Sequence, residues 1–170
     1  MEIKAPLIAK KAQAGQFIIF RVDEFGERVP LTIADYNREK GTVTIIFQAV
    51  GRSTKLLAEK NEGDSILDFV GPLGKPTELD GYQRACVIGG GVGCAIAYPS
   101  AKALHEKKTH VEMIAGFRSK DFVFLEDEMA TASDRLIVST DDGSYGQKGY
   151  VTDILRKRIE EGANYDLVVT

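Results

Sequence analysis

Between residues 85 and 169, short apolar runs alternate with helix-like stretches, and this alternation constrains the fold more than anything else in the chain. Ala85-Cys86-Val87-Ile88 runs into glycines and then a helical pattern over 93–106. His110-Val111-Glu112-Met113-Ile114-Ala115 precedes a helix around 124–131. Arg135-Leu136-Ile137-Val138-Ser139 leads into a glycine-rich loop at 140–149 and a helix over 150–161. Tyr165-Asp166-Leu167-Val168-Val169 closes the series. The order β-α-β-α-β-α-β predicts a parallel sheet with helices on its faces.

Residues 1–70 keep a different rhythm. Strands are predicted over 16–22, 28–34, 42–48 and 64–70, with a turn at 23–27 and a short helix over 55–60. Ser53 or Thr54 is the expected N-cap of that helix. Pro30 cannot donate to a ladder, so it points to an edge, a bulge or a ligand-facing position. Short strands at close spacing with glycine turns suggest a small barrel. Gly71-Pro72-Leu73-Gly74-Lys75-Pro76 is a stiff turn and marks the boundary. The expected organisation is an all-β barrel over 1–74, then a Rossmann-like α/β domain over 75–170. There is no internal repeat and no low-complexity segment.

Where the first parallel strand meets its helix stands Gly89-Gly90-Gly91-Val92-Gly93. Glycines let the backbone turn sharply and approach a ligand. The helix start behind them offers free N–H groups and the positive end of a dipole, so this is a place for a phosphate. Gly89 and Gly91 match the first two glycines of G-x-G-x-x-G, and Cys94 occupies the third place. A glycine-rich turn without a ligand is the alternative.

The net charge is −3 and no basic run is interleaved with aromatics, which argues against nucleic acid as a partner. No apolar stretch reaches membrane-spanning length and no signal peptide is evident, so the expectation is a cytoplasmic protein without membrane contact. The only histidines, His105 and His110, flank a polar turn and read as solvated. Only two cysteines occur, Cys86 and Cys94, so the chain cannot supply the four ligands of an iron–sulfur cluster. Both read as small core residues, with a reactive Cys94 thiol at a helix start as the minor alternative. The chain starts almost inside an element, with Ala5-Pro6-Leu7-Ile8 and little before it, and it ends at Thr170, on the last residue of a strand. The expectation is therefore a fragment or processed form of something longer.

Five segments occur in one order: Arg28-Val29-Pro30-Leu31-Thr32-Ile33, Ala49-Val50-Gly51-Arg52-Ser53-Thr54, Gly71-Pro72-Leu73-Gly74, Gly89-Gly90-Gly91-Val92-Gly93 and Asp142-Gly143-Ser144-Tyr145-Gly146-Gln147-Lys148-Gly149. Together they resemble the ferredoxin–NADP reductase-like superfamily over nearly the whole chain. More narrowly, they are similar to the electron-transfer subunits of dihydroorotate dehydrogenase and the small subunits of NADH-dependent reduced ferredoxin:NADP oxidoreductase.

The resemblance implies an FAD-binding barrel followed by a nicotinamide-binding domain. It places Arg28 at the FAD pyrophosphate, where a guanidinium fork suits phosphate oxygens. It places Leu31 against the isoalloxazine and Thr32 near the flavin's reactive edge, with Pro30 fixing the strand between. Gly51, Ser53 and Thr54 form the second half of the pyrophosphate site. Gly89, Gly90, Gly91, Val92 and Gly93 hold the dinucleotide pyrophosphate. Arg118 lies where the adenosine ribose is met and leaves NADP open beside NADH. Asp142 and Gly143 meet the same adenosine end, or form only an Asx turn.

The implied activity is electron transfer between NAD(P)H and an iron–sulfur partner through FAD. The implied partner is a larger catalytic oxidoreductase subunit, with ferredoxin as a further candidate. The resemblance also implies a two-iron, two-sulfur cluster after Thr170 and one strand before the first residues. No side chain is assigned to acid–base catalysis. A self-standing NAD(P)H:flavin reductase and a non-catalytic nucleotide-binding docking module remain alternatives.

Overall fold

Alternation of buried and half-buried residues builds the first half of the molecule. In β2 (Phe17–Arg21), Ile18 and Phe20 are fully buried, whereas Phe17, Ile19 and Arg21 face the other way. Each fully buried Ile or Phe side chain contributes on the order of 1.5–3 kcal/mol. β3 (Val29–Asn37) pairs antiparallel with β2 through Val29–Thr32, then with β4 (Thr42–Ile45) through Ile33–Asn37. A bulge between Ile33 and Asp35 lets one strand serve two partners, which curls the sheet. β1 (Glu2–Lys4) adds to β4, and β5 (Asp68–Leu73) adds to β2, giving the order β1-β4-β3-β2-β5. The core holds Ile8, Ile18, Phe20, Val22, Ile33, Val43, Ile45 and Leu57, contributed by these strands and by α1 (Pro6–Lys11) and α2 (Arg52–Ala58).

The sheet is therefore a five-stranded half-barrel with edges at β1 and β5, and it departs from the sequence-based expectation at several points. β1 falls where no strand was predicted, and α1 takes the place of the element of unassigned type expected at Ala5-Pro6-Leu7-Ile8. α2 starts at Arg52, earlier than expected, and its N-cap is Gly51 instead of Ser53 or Thr54. The strand expected over 64–70 is β5, shifted toward the C-terminus. Gly71-Pro72-Leu73, expected to be a boundary, lies inside that strand. The shift is physical: β5 is an edge strand, where Pro72 sacrifices no interior ladder bond, and the pairing with β2 is irregular between Phe17 and Ile19.

The structure is a computed structural model describing residues 1–170, and its two compact units are Met1–Thr77 and Glu78–Thr170. The second unit is built on five parallel strands in the order β10-β6-β7-β8-β9: β6 (Arg84–Gly90), β7 (His110–Phe117), β8 (Arg135–Thr140), β9 (Gln147–Lys148) and β10 (Leu167–Val169). The two-residue β9 sits in the expected loop and pairs only with Ser139 and Thr140 of β8. α3 (Cys94–Glu106) follows β6 through a 3-10 turn at Gly91–Gly93, α4 (Glu126–Thr131) follows β7, and α5 (Val151–Glu160) precedes β10.

On one face Cys86, Ile88, Ile114 and Ile137 pack against Ile154, with Val151 and Leu155 of α5 beside them. On that face Glu112 is 3% exposed and receives a bidentate Arg158 guanidinium at 2.6 and 3.0 Å, plus the Tyr165 hydroxyl at 2.9 Å. Burial alone would raise the Glu112 pKa, but Arg158 and Tyr165 outweigh it and hold the carboxyl below its ordinary range. The network pins α5 to β7 and to Tyr165, just before β10. No helix is long and apolar enough to cross a membrane.

Candidate nucleotide and flavin sites

The carboxyl ends of β6, β7 and β8 lie side by side, with Gly90 opposite Gly116 and Gly116 opposite Ser139. The crevice beyond the carboxyl ends of such strands is the ligand-binding place of an open α/β sheet. The chain runs from β6 outward through β7 to β8, then returns to β10 on the other side of β6, so β6 lies at the switch point.

The four glycines at the end of β6 and in the turn after it are there for different reasons. A Cβ on Gly89 would stand 2.7 Å from Cys94 Cα, so Gly89 is required by the close packing of strand against helix. A Cβ on Gly90, Gly91 or Gly93 would meet nothing within 4 Å. Gly91 alone needs a left-handed backbone, with φ +53°. Gly90 and Gly93 satisfy no internal requirement and face open space, as a surface approached by a ligand does. Behind them the turn runs directly into α3, whose Cys94 N–H is taken by the Gly91 and Val92 carbonyls and whose start carries the positive end of the helix dipole.

The other expected residues follow the next two strands. Arg118 comes directly after β7, is exposed, and makes no ion pair. After β8, Asp142 is tied into its own loop. Its Oδ1 accepts the Ser144 N–H at 2.9 Å and the Ser144 hydroxyl at 2.6 Å, and those bonds hold its pKa below the ordinary carboxylate value. Gly143 takes φ +77° beside it. The Asx turn is thus what Asp142 and Gly143 form within the protein.

Sequence reasoning missed the clasp around them. The Ser144 hydroxyl accepts the Lys120 N–H at 2.8 Å, the Thr140 hydroxyl bonds both the N–H and the carbonyl of Tyr145, and the Tyr145 hydroxyl donates to Glu126 at 2.9 Å. The pattern Asp142-Gly143-Ser144 carried a signal for the turn, but nothing in the sequence paired Tyr145 with Glu126.

The cysteines are not reactive groups. Both are fully buried, and burial pushes Cys94 up to about 11 and, with the charge of Glu112 nearby, Cys86 up to about 12. The helix start does not offset that cost at Cys94. His110 Nδ1 lies 3.4 Å from Asp134, at the opposite end of the sheet from the glycines.

In the first unit the alternation along β3 splits the expected flavin residues. Val29 and Leu31 pack on the core, whereas Arg28, Pro30 and Thr32 fall on the outer side. Ile33 donates to the Gln16 carbonyl, so Ile33, Leu31 and Val29 bond toward β2 and Pro30 points its nitrogen away. No strand lies on that side, since β4 leaves β3 at Ile33. Pro30 therefore costs the ladder nothing. Arg28 is 63% exposed and reaches Asp68 Oδ2 at 3.3 Å, while Arg21 holds the same oxygen at 2.7 Å. Residues 46–50 run from the end of β4 to Gly51, where the Thr54 hydroxyl accepts the Gly51 N–H at 3.0 Å. Ser53 is buried. The N–H groups of Arg52 and Ser53 stand in the first turn without helical carbonyl partners.

No family model matches the chain. A Thermotoga maritima homologue of the dihydroorotate dehydrogenase B (NAD(+)) electron transfer subunit is 46% identical over 159 residues, covering 94% of this chain and 56% of that protein. The electron transfer subunit of dihydroorotate dehydrogenase B from Bacillus pumilus is 37% identical, covering 100% of this chain and 66% of its own length. Among solved structures, a chain of NADH-dependent reduced ferredoxin-NADP oxidoreductase, studied for flavin-based electron bifurcation, superposes with a TM-score of 0.89 at 42% identity. That superposition covers 94% of this chain and 58% of the solved one. The chain has the ferredoxin reductase-like fold. Its curled antiparallel unit followed by a parallel five-stranded unit is the ferredoxin reductase-like architecture. This ferredoxin reductase-like chain spans less than two thirds of the length of each of these relatives.

Proposed function

We propose that the chain is part of a flavin-dependent electron-transfer subunit, with FAD held by the first unit and NAD(P)H by the second. The observation that carries the proposal is the pair of open glycines, Gly90 and Gly93. They are bare toward solvent with no packing reason to be glycine, and they sit at the carboxyl end of the switch-point strand. When bound, the flavin would take a hydride from the nicotinamide and release electrons singly to an iron–sulfur centre.

The chain's own residues bind and orient. Gly90, Gly91, Val92 and Gly93 would let the dinucleotide pyrophosphate approach the start of α3. Arg118 and the loop carrying Asp142 and Gly143 would meet the adenosine end. In the first unit, Arg28 would exchange its exposed contact with Asp68 for the FAD pyrophosphate, since an exposed ion pair holds it by only about 0–1 kcal/mol. Arg52 and Ser53 would add backbone N–H groups, with Gly51 allowing close approach and Thr54 holding the turn. Thr32 and Pro30 would present the outer side of β3 to the flavin, and Leu31 would support that strand from the core.

The names of the relatives support a larger catalytic subunit as partner. Ferredoxin as a second partner, a two-iron, two-sulfur centre held outside these residues and a cytoplasmic setting belong to the same proposal. The test is to load the protein with FAD and titrate it anaerobically with NADH and with NADPH. Bleaching of the flavin absorbance near stoichiometric nucleotide supports the reading, and retention of colour with excess of both overturns it.

A further inference from the structure

The loops after β7 and β8 come from different crossovers, yet two adjacent residues bind them together. Ser144 accepts the Lys120 N–H at 2.8 Å from the 3-10 turn Lys120–Phe122 that follows β7. Tyr145 donates its hydroxyl to Glu126 Oε1 at 2.9 Å, at the first residue of α4. The Lys120 ammonium lies 5.8 Å from the centre of the Tyr145 ring. From the β8 side, the Thr140 hydroxyl closes on the Tyr145 backbone at both ends, at 2.7 Å to its carbonyl and 3.0 Å from its N–H. Tyr145 thus meets the end of β8, the turn after β7 and the start of α4. Two residues before Lys120 stands Arg118, and two or three before Tyr145 stand Gly143 and Asp142.

We propose that Tyr145 is a positioning residue for the nicotinamide nucleotide, resting on the nucleotide site proposed above. Its hydroxyl bond to Glu126 fixes the loop after β8 against the start of α4 and backs the neighbouring Ser144 bond to the turn after β7, so that Arg118 and the Asp142–Gly143 turn are held together before the nucleotide arrives. Without the clasp, each loop must be ordered at the moment of binding, and that entropy is subtracted from affinity.

The experiment compares Tyr145→Phe, Glu126→Ala and Glu126→Gln in the flavin-loaded protein. Tyr145→Phe keeps the ring over Lys120 and deletes one hydrogen bond. Glu126→Gln keeps an oxygen that accepts it. Tyr145→Phe and Glu126→Ala should each raise the nucleotide Kd and KM roughly three- to tenfold, with kcat unchanged. Glu126→Gln should restore most of the affinity, and the double variant Tyr145→Phe/Glu126→Ala should be no weaker than either single one. Amide hydrogen exchange over 118–121 and 141–146 should quicken in the first two variants. Unchanged Kd and KM in Tyr145→Phe, in a parent that binds nucleotide, would overturn the positioning role alone. A parent that binds neither NADH nor NADPH would overturn the underlying site as well, and the two failures are told apart in the parent titration.

Discussion

At the scale of the residue, two glycines four positions apart make opposite predictions. Gly93 has a helical backbone, φ −61° and ψ −21°, and open space around its missing Cβ. Gly93→Ala should therefore leave stability unchanged or raise it by roughly 0.4–1 kcal/mol, while weakening nucleotide binding. Gly89→Ala should do the reverse, because its Cβ would press on Cys94 Cα at 2.7 Å. It should lower stability by about 1–3 kcal/mol, with nucleotide affinity in the surviving folded protein close to normal. Urea melts and nucleotide titrations of both variants check this, and a Gly93→Ala protein with parental affinity would return the loop to a purely structural turn.

Arg28→Ala should lose charge-assisted bonds of about 1.5–3 kcal/mol, a roughly ten- to hundredfold rise in FAD Kd, measured by flavin release. At this scale the sequence exposed the candidates well but not their surroundings. Arg28 could be read as a phosphate ligand from its strand, yet its sharing of Asp68 with Arg21 depends on the pairing of β2 with β5, across more than forty residues of chain. The Tyr145 contact with Glu126 was hidden for the same reason.

At the scale of the element, α5 shows how one charge pair orders a crossover. Glu112 is buried, and its folded pKa lies below its ordinary value because Arg158 and Tyr165 favour the charged form. A depressed carboxylate pKa contributes stability that is fully present above the unfolded value, near pH 4.3, and is lost as pH falls through the folded value. The second unit should therefore weaken as pH drops below about 4.3. Glu112→Gln should cost about 3 kcal/mol near neutrality, since it leaves Arg158 facing a neutral group. It should also flatten the acid limb, because the titrating group is gone. Denaturant melts followed from pH 7 to pH 3 would show a parallel acid limb in both proteins if Glu112 were not responsible.

Elements with a strong period were legible in the sequence. β6, β7 and β8 appeared as apolar runs because parallel strands are covered on both faces. The misses were short or locally ambiguous. α1 has six residues and no side-chain cap, and β9 has two residues and is defined only by pairing with β8. β5 was displaced because Gly71-Pro72 punctuates a sequence locally, whereas at a sheet edge it costs little.

At the scale of the whole molecule, the two units have separate cores, one built from Ile18, Phe20 and their neighbours and the other centred on Cys86, Ile88 and Ile114. Both cysteines of the chain lie in the second unit, fully buried, with pKa values raised by burial. The first unit has none. A thiol reagent added to the native protein can therefore react only when the second unit opens, and each labelling event is a timestamp of that opening. NADH or NADPH at about a hundred times its Kd should slow labelling by roughly a hundredfold, by mass action on the closed state. Saturating FAD, bound to the unit without sulfur, should leave the rate unchanged, and equal protection by both ligands would mean that the units open as one. The placement of two ordinary core residues thus makes the chain its own stopwatch, able to distinguish which cofactor steadies which half.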